Sequence, residues 1–311
     1  MRSYPRGVAR SCLCLGLFIA LLARSQTQSS SQPVAVRLSR SHTVLLIVPI
    51  RINGAGPYKF VLDTGTNISL IESSLFRQLG LEPQGSVSSG AVAGMRLGST
   101  AVAREISIDA SISLKNVQVL EVDGIKRTDL GRDVRGVLGE NFAQAFDLLI
   151  DNHRRQITFD SGDTLASSLS GEQLPLGLFT SVQAGKLRNR PIVTASVPSF
   201  DPDHSLQMVV DTASEGAYVL PRPGNTPQHS IAGSVRHPHF DLLNGATVCA
   251  TWKGKIVVGQ TTTGDIPISS CGAPVTSDHD GQLPTFLFDR VFISHRHGYL
   301  ILNPSIIGGS M

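Results

Sequence analysis

The sequence predicts an all-β protein built from two related halves. Three observations carry this. Short runs of apolar and β-branched residues alternate with turns, and the 30 glycines and 17 prolines are spread along the chain as punctuation, which suits many short strands better than long helices. An order of strand, Asp-Thr motif and strand occurs twice, with Asp63 and Asp211 148 positions apart and Gly136 and Gly281 145 apart. Unrelated stretches would rarely keep such an offset at both landmarks, so an internal duplication is the simplest account. With 41% hydrophobic and 16% charged residues, the 311-residue chain can bury a sizeable core.

The chain opens with a polar stretch carrying Arg2, Arg6 and Arg10. An apolar run from Cys12 to Ala23 follows, and then Ala23-Arg24-Ser25 offers small residues at the −3 and −1 positions of a cleavage site. Residues 1–25 therefore read as a secretory signal peptide, with a signal anchor as the alternative. The run is short for a bilayer span. Taking the four arginines of this segment from the net charge of +3 leaves −1, so a basic nucleic-acid-binding surface is not indicated. Cleavage would also remove Cys12 and Cys14. Cys249 and Cys271 would remain, 22 positions apart in an exported chain, and are expected to form a disulfide; two free thiols are the alternative. Neither belongs to a close ligand pair, so zinc is not expected.

Residues 26–32 are Ser/Gln-rich and read as a disordered leader. The first half, 33–162, begins with a strand over Thr43–Asn53, a turn at Gly54–Pro57 and a return strand Tyr58–Leu62 ending in Asp63-Thr64-Gly65-Thr66. A strand Ile68–Ile71 and a helix Ser73–Leu79, ended by Gly80, come next. Gly136–Gly139 leads into a helical stretch Asn141–Ala145, and strands Phe146–Ile150 and Gln156–Phe159 flank a turn. Residues 163–186 read as a linker. The second half, 187–306, repeats the order. Strand Pro191–Val197, loop Pro198–His204 and strand Leu206–Val210 lead to Asp211-Thr212-Ala213-Ser214; Ala217–Leu220, Gly281–Pro284, Val291–Ile293 and Tyr299–Leu302 follow.

An Asp at a strand end, followed by small and hydroxyl residues, has a chemical use. The tight turn turns backbone N–H groups toward the carboxylate, and Thr66 and Ser214 are each expected to donate a hydroxyl to their Asp. Two such carboxylates brought together cannot both ionise, so they share a proton, one acting as base and the other as acid.

Phe60-Val-Leu-Asp-Thr-Gly-Thr66 with Gly136-Val-Leu-Gly139 resembles the aspartic proteases, and the tail Phe146–Phe159 is similar to bacterial retropepsin-like members. The resemblance extends over nearly all of residues 43–303 in two copies, as in the pepsin-like pseudo-dimer. It implies two β-barrel lobes about a pseudo-twofold axis, and an endopeptidase in which Asp63 and Asp211 hold a lytic water. It further implies that Thr64 and Thr212 tie the motif loops together, with Gly65, Thr66, Ala213 and Ser214 in support. No metal or organic cofactor is implied; the partner is a polypeptide substrate, the enzyme a monomer, and the compartment periplasmic or extracellular. A flap over Ser86–Arg104, with Gly90 and Gly94, would cover the cleft, and Thr247–Gln260 with Trp252 would be its equivalent.

The sequence departs from the family pattern in the second half. Ala213 stands where Gly is usual, which matters if the turn needs a positive φ. Gln282-Leu283-Pro284 replaces the second apolar-apolar-Gly, and Pro removes a donor. These departures leave two alternatives open: a non-catalytic peptide-binding pseudo-protease, and a homodimer using first halves only. His237/His239 and His295/His297 have a spacing that could place both on one strand face for a metal, but they read as solvated or turn histidines.

Overall fold

The computed structural model describes residues 32–37, 44–91, 94–123, 133–177, 190–221, 234–241, 245–271 and 279–307. The expected signal peptide and nearly all of the leader lie outside the described residues. In chain order the elements are β1 Val34–Arg37, β2 Ile47–Ile52, β3 Ala55–Asp63, β4 Ser69–Glu72, α1 Ser73–Gln78, β5 Gly85–Ala91, β6 Gly94–Ser107 and β7 Ser113–Val122. Then come β8 Val134–Gly139, α2 Glu140–Ala143, β9 Asp147–Asp151, β10 Gln156–Asp160, α3 Thr164–Ser168, β11 Leu169–Ser170 and β12 Leu174–Pro175. The second half holds β13 Ile192–Val197, β14 Asp201–Asp211, β15 Ala217–Val219, β16 Val235–Asp241, β17 Gly245–Gly254, β18 Val257–Val258 and β19 Thr261–Thr262. It closes with β20 Ile266–Cys271, β21 Gly281–Pro284, a 3-10 turn Thr285–Leu287, β22 Arg290–Ser294, β23 Tyr299–Leu302 and β24 Ser305–Ile306.

Local chemistry sets these bounds. The β2–β3 turn is Asn53-Gly54, with φ of 52° and 83°, and Ile52 pairs with Ala55. That is the two-residue Asn-Gly hairpin whose twist matches the flanking strands. The turn thus comes earlier than the Gly54–Pro57 expected from sequence, and the return strand starts at Ala55. Gly80, at φ 61°, ends α1 as expected. β14 starts at Asp201, inside the stretch read as a loop, because Val197 pairs with Asp201 around a short turn.

Two large sheets share one plan. The first has the order β2-β3-β8-β4-β7-β6-β5; the second, read from its β13 strand, runs β13-β14-β21-β15-β20-β17-β16, with β18 and β19 added beyond β13. Strand directions repeat as well. β3–β8 and β14–β21 are parallel, β4–β8 and β15–β21 antiparallel, β4–β7 and β15–β20 parallel. A third sheet, β1-β10-β9-β22-β23-β12, joins the halves where β9 pairs with β22. Parts of the span read as a linker are structured: β12 pairs with β23, and β11 with β24. One apolar core runs through both halves, from Val48, Phe60 and Phe142 to Met208, Ile268 and Leu300.

The duplicated glycines explain why the landmarks repeat. A Cβ on Gly136 would meet the Phe60 ring at 2.1 Å and the Leu70 carbonyl at 2.3 Å; one on Gly281 would meet the Tyr218 carbonyl at 2.1 Å and the Met208 side chain at 3.2 Å. Met208 and Tyr218 occupy the positions of Phe60 and Leu70, each shifted by 148. In both halves the glycine lets its own strand fit between the Asp strand and the strand that follows the motif.

Cys249 and Cys271 face each other across β17 and β20, with sulfurs at a disulfide distance of 1.99 Å, and pack with Tyr218. Among the described residues no helix is long and apolar enough to cross a membrane.

Gly281→Ala is expected to destabilise the protein by about 2 kcal/mol or more, because backbone and not a flexible side chain blocks the new methyl; urea denaturation checks this. Replacing Cys249 and Cys271 together by Ser is expected to cost about 3 kcal/mol in the chain-entropy account. The melting temperature should drop accordingly, and thiol titration of the native protein should find neither cysteine free.

Candidate active site

β3 and β14 both end on an aspartate. Register puts Asp63 opposite Gly139 of β8 and Asp211 opposite Pro284 of β21. The next residue in each loop reaches into the other half. The Thr64 hydroxyl donates to the Val210 carbonyl (2.7 Å) and accepts from the Thr212 N–H (3.2 Å). The Thr212 hydroxyl donates to the Leu62 carbonyl (2.8 Å) and accepts from the Thr64 N–H (3.1 Å). The bonds repeat with the halves exchanged, and both threonines are buried.

The loop of the first half lies against the second carboxylate: a Cβ on Gly65 would come within 2.4 Å of Asp211 Oδ2. Glycine is needed there for space and not for a positive φ, since neither Gly65 nor Ala213 has one. The restriction expected at Ala213 is therefore absent. Its methyl packs on Leu45, Ile47, Val61 and Val134 of the first half.

The two carboxylates differ in their donors. Asp63 Oδ1 accepts the Gly65 N–H (2.8 Å), and Oδ2 accepts the Thr66 hydroxyl (2.5 Å). Asp211 Oδ1 accepts the N–H groups of Ala213 (2.7 Å) and Ser214 (2.9 Å). The Ser214 hydroxyl, expected to donate to Asp211, instead donates to the Gly216 carbonyl at 2.7 Å. A serine hydroxyl rotates freely, and a local carbonyl two residues on outcompetes the carboxylate.

α2 braces the first loop. The free N–H groups at its start, those of Glu140 and Asn141, donate to the carbonyls of Thr66 (2.8 Å) and Asn67 (3.2 Å). The Gly139 N–H donates to the Ser69 hydroxyl, which donates to Asn141 Oδ1 (2.8 Å); Asn141 Nδ2 donates to the Gln118 carbonyl. Pro284, opposite Asp211, has no N–H to repeat the Gly139 bond.

Both aspartates are buried and bind protons more tightly than free carboxylates. Burial raises Asp63, partly offset by the Thr66 hydroxyl and the backbone N–H groups. Burial raises Asp211 well above its ordinary value, and the Asp63 charge adds to it. The Arg190 charge favours the ionised form of both. Arg190 stands just before Pro191, whose carbonyl accepts the Val210 N–H, while its guanidinium lies 3.3 Å from His279 Nδ1.

The expected flap is a hairpin of β5 and β6, with Gly90 paired to Met95 and Ala91 to Gly94; its tip, 92–93, lies outside the described residues. β16 and β17 form its equivalent. Trp252 belongs to the core there, stacked on Phe200 with its Nε1 donating to the Ser199 hydroxyl. His295 stands in a turn, as read from the sequence, but is not solvated: its side chain is 9% exposed, with Nε2 2.6 Å from Glu140 Oε1. The side chains of His237 and His239 lie outside the described residues. Among the described residues no group of three His, Cys, Asp or Glu could hold a metal.

Sequence reasoning missed Arg190, Asn141 and the Glu140–His295 pair. Arg190 could have been suspected from its place beside the strand that flanks Asp211. The others act through tertiary contacts that leave no local pattern.

Residues 48–142 match a family model described as aspartyl protease. Among solved structures, a retropepsin-like aspartic protease from Rickettsia conorii matches at 15% identity with a TM-score of 0.30, covering 41% of this chain and 89% of that one. No curated protein matches. The aspartic-protease resemblance is thus supported over the whole of the first Asp motif and its β8 partner.

Asp63, Asp211, Glu140 and Asp147 are all shifted upward with burial as the leading cause, so the folded chain holds more protons than the unfolded one above the ordinary carboxylate range of about 4. Stability therefore falls as pH rises through that window. Asp133, exposed and screened, acts in the opposite sense, as does Asp201 beside the His204 ring. The melting temperature should be higher near pH 5 than near pH 8.

Proposed function

We propose that this chain is an aspartic endopeptidase in which Asp63 and Asp211 activate one water between them. The observation that carries this is the reciprocal Thr64–Thr212 bonding, which holds the ends of the two Asp strands together with Gly65 packed on the Asp211 carboxylate. The unequal donors divide the labour. Asp63 has a hydroxyl donor and is the ionised base; Asp211, with no hydroxyl on it and facing the Asp63 charge, keeps the shared proton. Asp63 takes a proton from the water as it attacks the scissile carbonyl. Asp211 donates a hydrogen bond to the carbonyl oxygen and stabilises the tetrahedral intermediate. The substrate is an extended polypeptide lying under the β5–β6 hairpin, where strand-like pairing suits backbone recognition.

On this reading residues 33–162 and 187–306 are the two lobes, joined through 163–186, and one chain supplies both aspartates. The chain is exported after cleavage following Ser25, a route consistent with the Cys249–Cys271 pair. A second reading, a peptide-binding pseudo-protease, draws on Pro284 and on the Ser214 hydroxyl turned to Gly216. Digestion of a denatured protein, with and without a statine peptide, separates the two readings.

Asp63→Asn and Asp211→Asn should each fold and each lower kcat by several orders of magnitude, with the double variant little worse than either. A homodimer of first halves would instead leave Asp211→Asn near wild type and lose activity on dilution. Circular dichroism and peptide-cleavage rates decide.

A further inference from the structure

Glu140 and His295 form a buried ionisable pair that the proposed mechanism does not use. Glu140 opens α2 in the first half; His295 stands in the turn between β22 and β23 in the second. His295 Nδ1 lies 2.7 Å from the Phe146 carbonyl, which can only accept, so Nδ1 carries a hydrogen. Nε2 lies 2.6 Å from Glu140 Oε1. They meet at an ion-pair distance without hydrogen-bond geometry, and among the described residues Glu140 Oε1 and Oε2 and His295 Nε2 have no hydrogen-bond partner, so the pair is relieved by a proton on it, as imidazolium with carboxylate or as imidazole with carboxylic acid. Without it, a nitrogen lone pair would oppose a carboxylate in a space that water does not share, the side chains being 9% and 1% exposed.

The pseudo-symmetric place shows the alternative the fold could have used. In the turn after β9, Asn152 Nδ2 donates to the carbonyls of Thr285 and Phe288, both at 2.8 Å, a link that no pH change alters. The Glu140–His295 link is titratable and adjoins the Asp63 loop. The Glu140 N–H holds the Thr66 carbonyl, and the Thr66 hydroxyl holds Asp63.

We propose that Glu140 and His295 form a proton-dependent clamp that seats the Asp63 loop against the second half and sets the upper pH limit of the site. Its effect on activity rests on the aspartic-protease reading; its effect on stability does not. The acids that face the pair, Asp63 and Asp147, both favour its proton. Glu140 faces His295 and Asp63; His295 faces Glu140 and Asp147; Asp147 faces His295 and His297, and accepts the Ser294 hydroxyl and the Arg296 N–H. The Arg296 guanidinium turns away, to the Ser161 carbonyl and Asp163. Burial lowers His295, but Glu140, Phe146 and Asp147 outweigh it, and the net shift is upward. Stability from His295 is therefore present below its ordinary value of about 6.5 and lost as pH rises through the raised one.

The test compares wild type with Glu140→Gln, whose amide can donate to Nε2 without titrating. Melting temperatures near pH 5 and near pH 8 are measured in the full chain and again with Asp63→Asn, which keeps the clamp. The fall in melting temperature between the two should shrink by at least half in Glu140→Gln in both backgrounds. The alkaline limb of kcat/KM should move up by about one pH unit. An equal fall in both proteins would overturn the clamp, as would nitrogen-15 NMR of wild type showing His295 titrating at its ordinary value; the NMR arm also decides if Glu140→Gln does not fold. Absent cleavage with the melting effect intact would sink the protease reading alone. Cleavage with an unmoved limb and an unmoved melting slope would sink the clamp alone.

Discussion

The structure depends on one reciprocal arrangement, the four hydrogen bonds between the Thr64 and Thr212 loops. Each threonine hydroxyl donates to a carbonyl of the opposite Asp strand and accepts an N–H from the opposite threonine. All four bonds are buried, where an unmade partner would cost the full desolvation of a polar group. The halves must therefore meet in this register or leave several polar groups stranded. The rest follows from it: β3 and β14 end side by side, Gly65 must be small, and β9 and β22 pair behind them.

A duplicated backbone need not carry duplicated chemistry. Gly139 has no room for a side chain, since a Cβ there would lie within 2.8 Å of Ile68 backbone atoms, whereas Pro284 is accommodated at the same register position in the second half. Ala213 places a methyl on an apolar cluster of the first half, where Gly65 faces a carboxylate. Both departures adjoin Asp211, yet its carboxylate keeps two backbone donors.

Much of this was legible in the sequence, and for identifiable reasons. Strand runs, the helix ended by Gly80 and the duplicated landmarks are local patterns, and local chemistry fixes them. The Asn53-Gly54 turn was written in the sequence too, but the nearby Gly-Pro drew the boundary too late. The Ser214 hydroxyl could not be read, because its choice between Asp211 and the Gly216 carbonyl depends on loop geometry. Arg190, Asn141 and His295 escaped because their partners lie 89, 23 and 155 positions away, with nothing periodic to mark them.

Asymmetry in proton affinity is the last consequence of the duplication. In a dimer of identical chains, two facing carboxylates have identical surroundings, and which one holds the proton is left to chance. Here the surroundings differ by one hydroxyl: Thr66 donates to Asp63, and Ser214 donates elsewhere. A hydrogen bond to the charged form favours ionisation, so on the proposed reading Asp63 holds the charge and Asp211 the proton. Glu140 is a further buried acid close to Asp63. It lies near enough for its charge and that of Asp63 to disfavour each other, and His295 from the other half answers it. A residue of the second half thus pairs with the helix that braces the Asp63 loop, a contact that a chain with only one half could not provide.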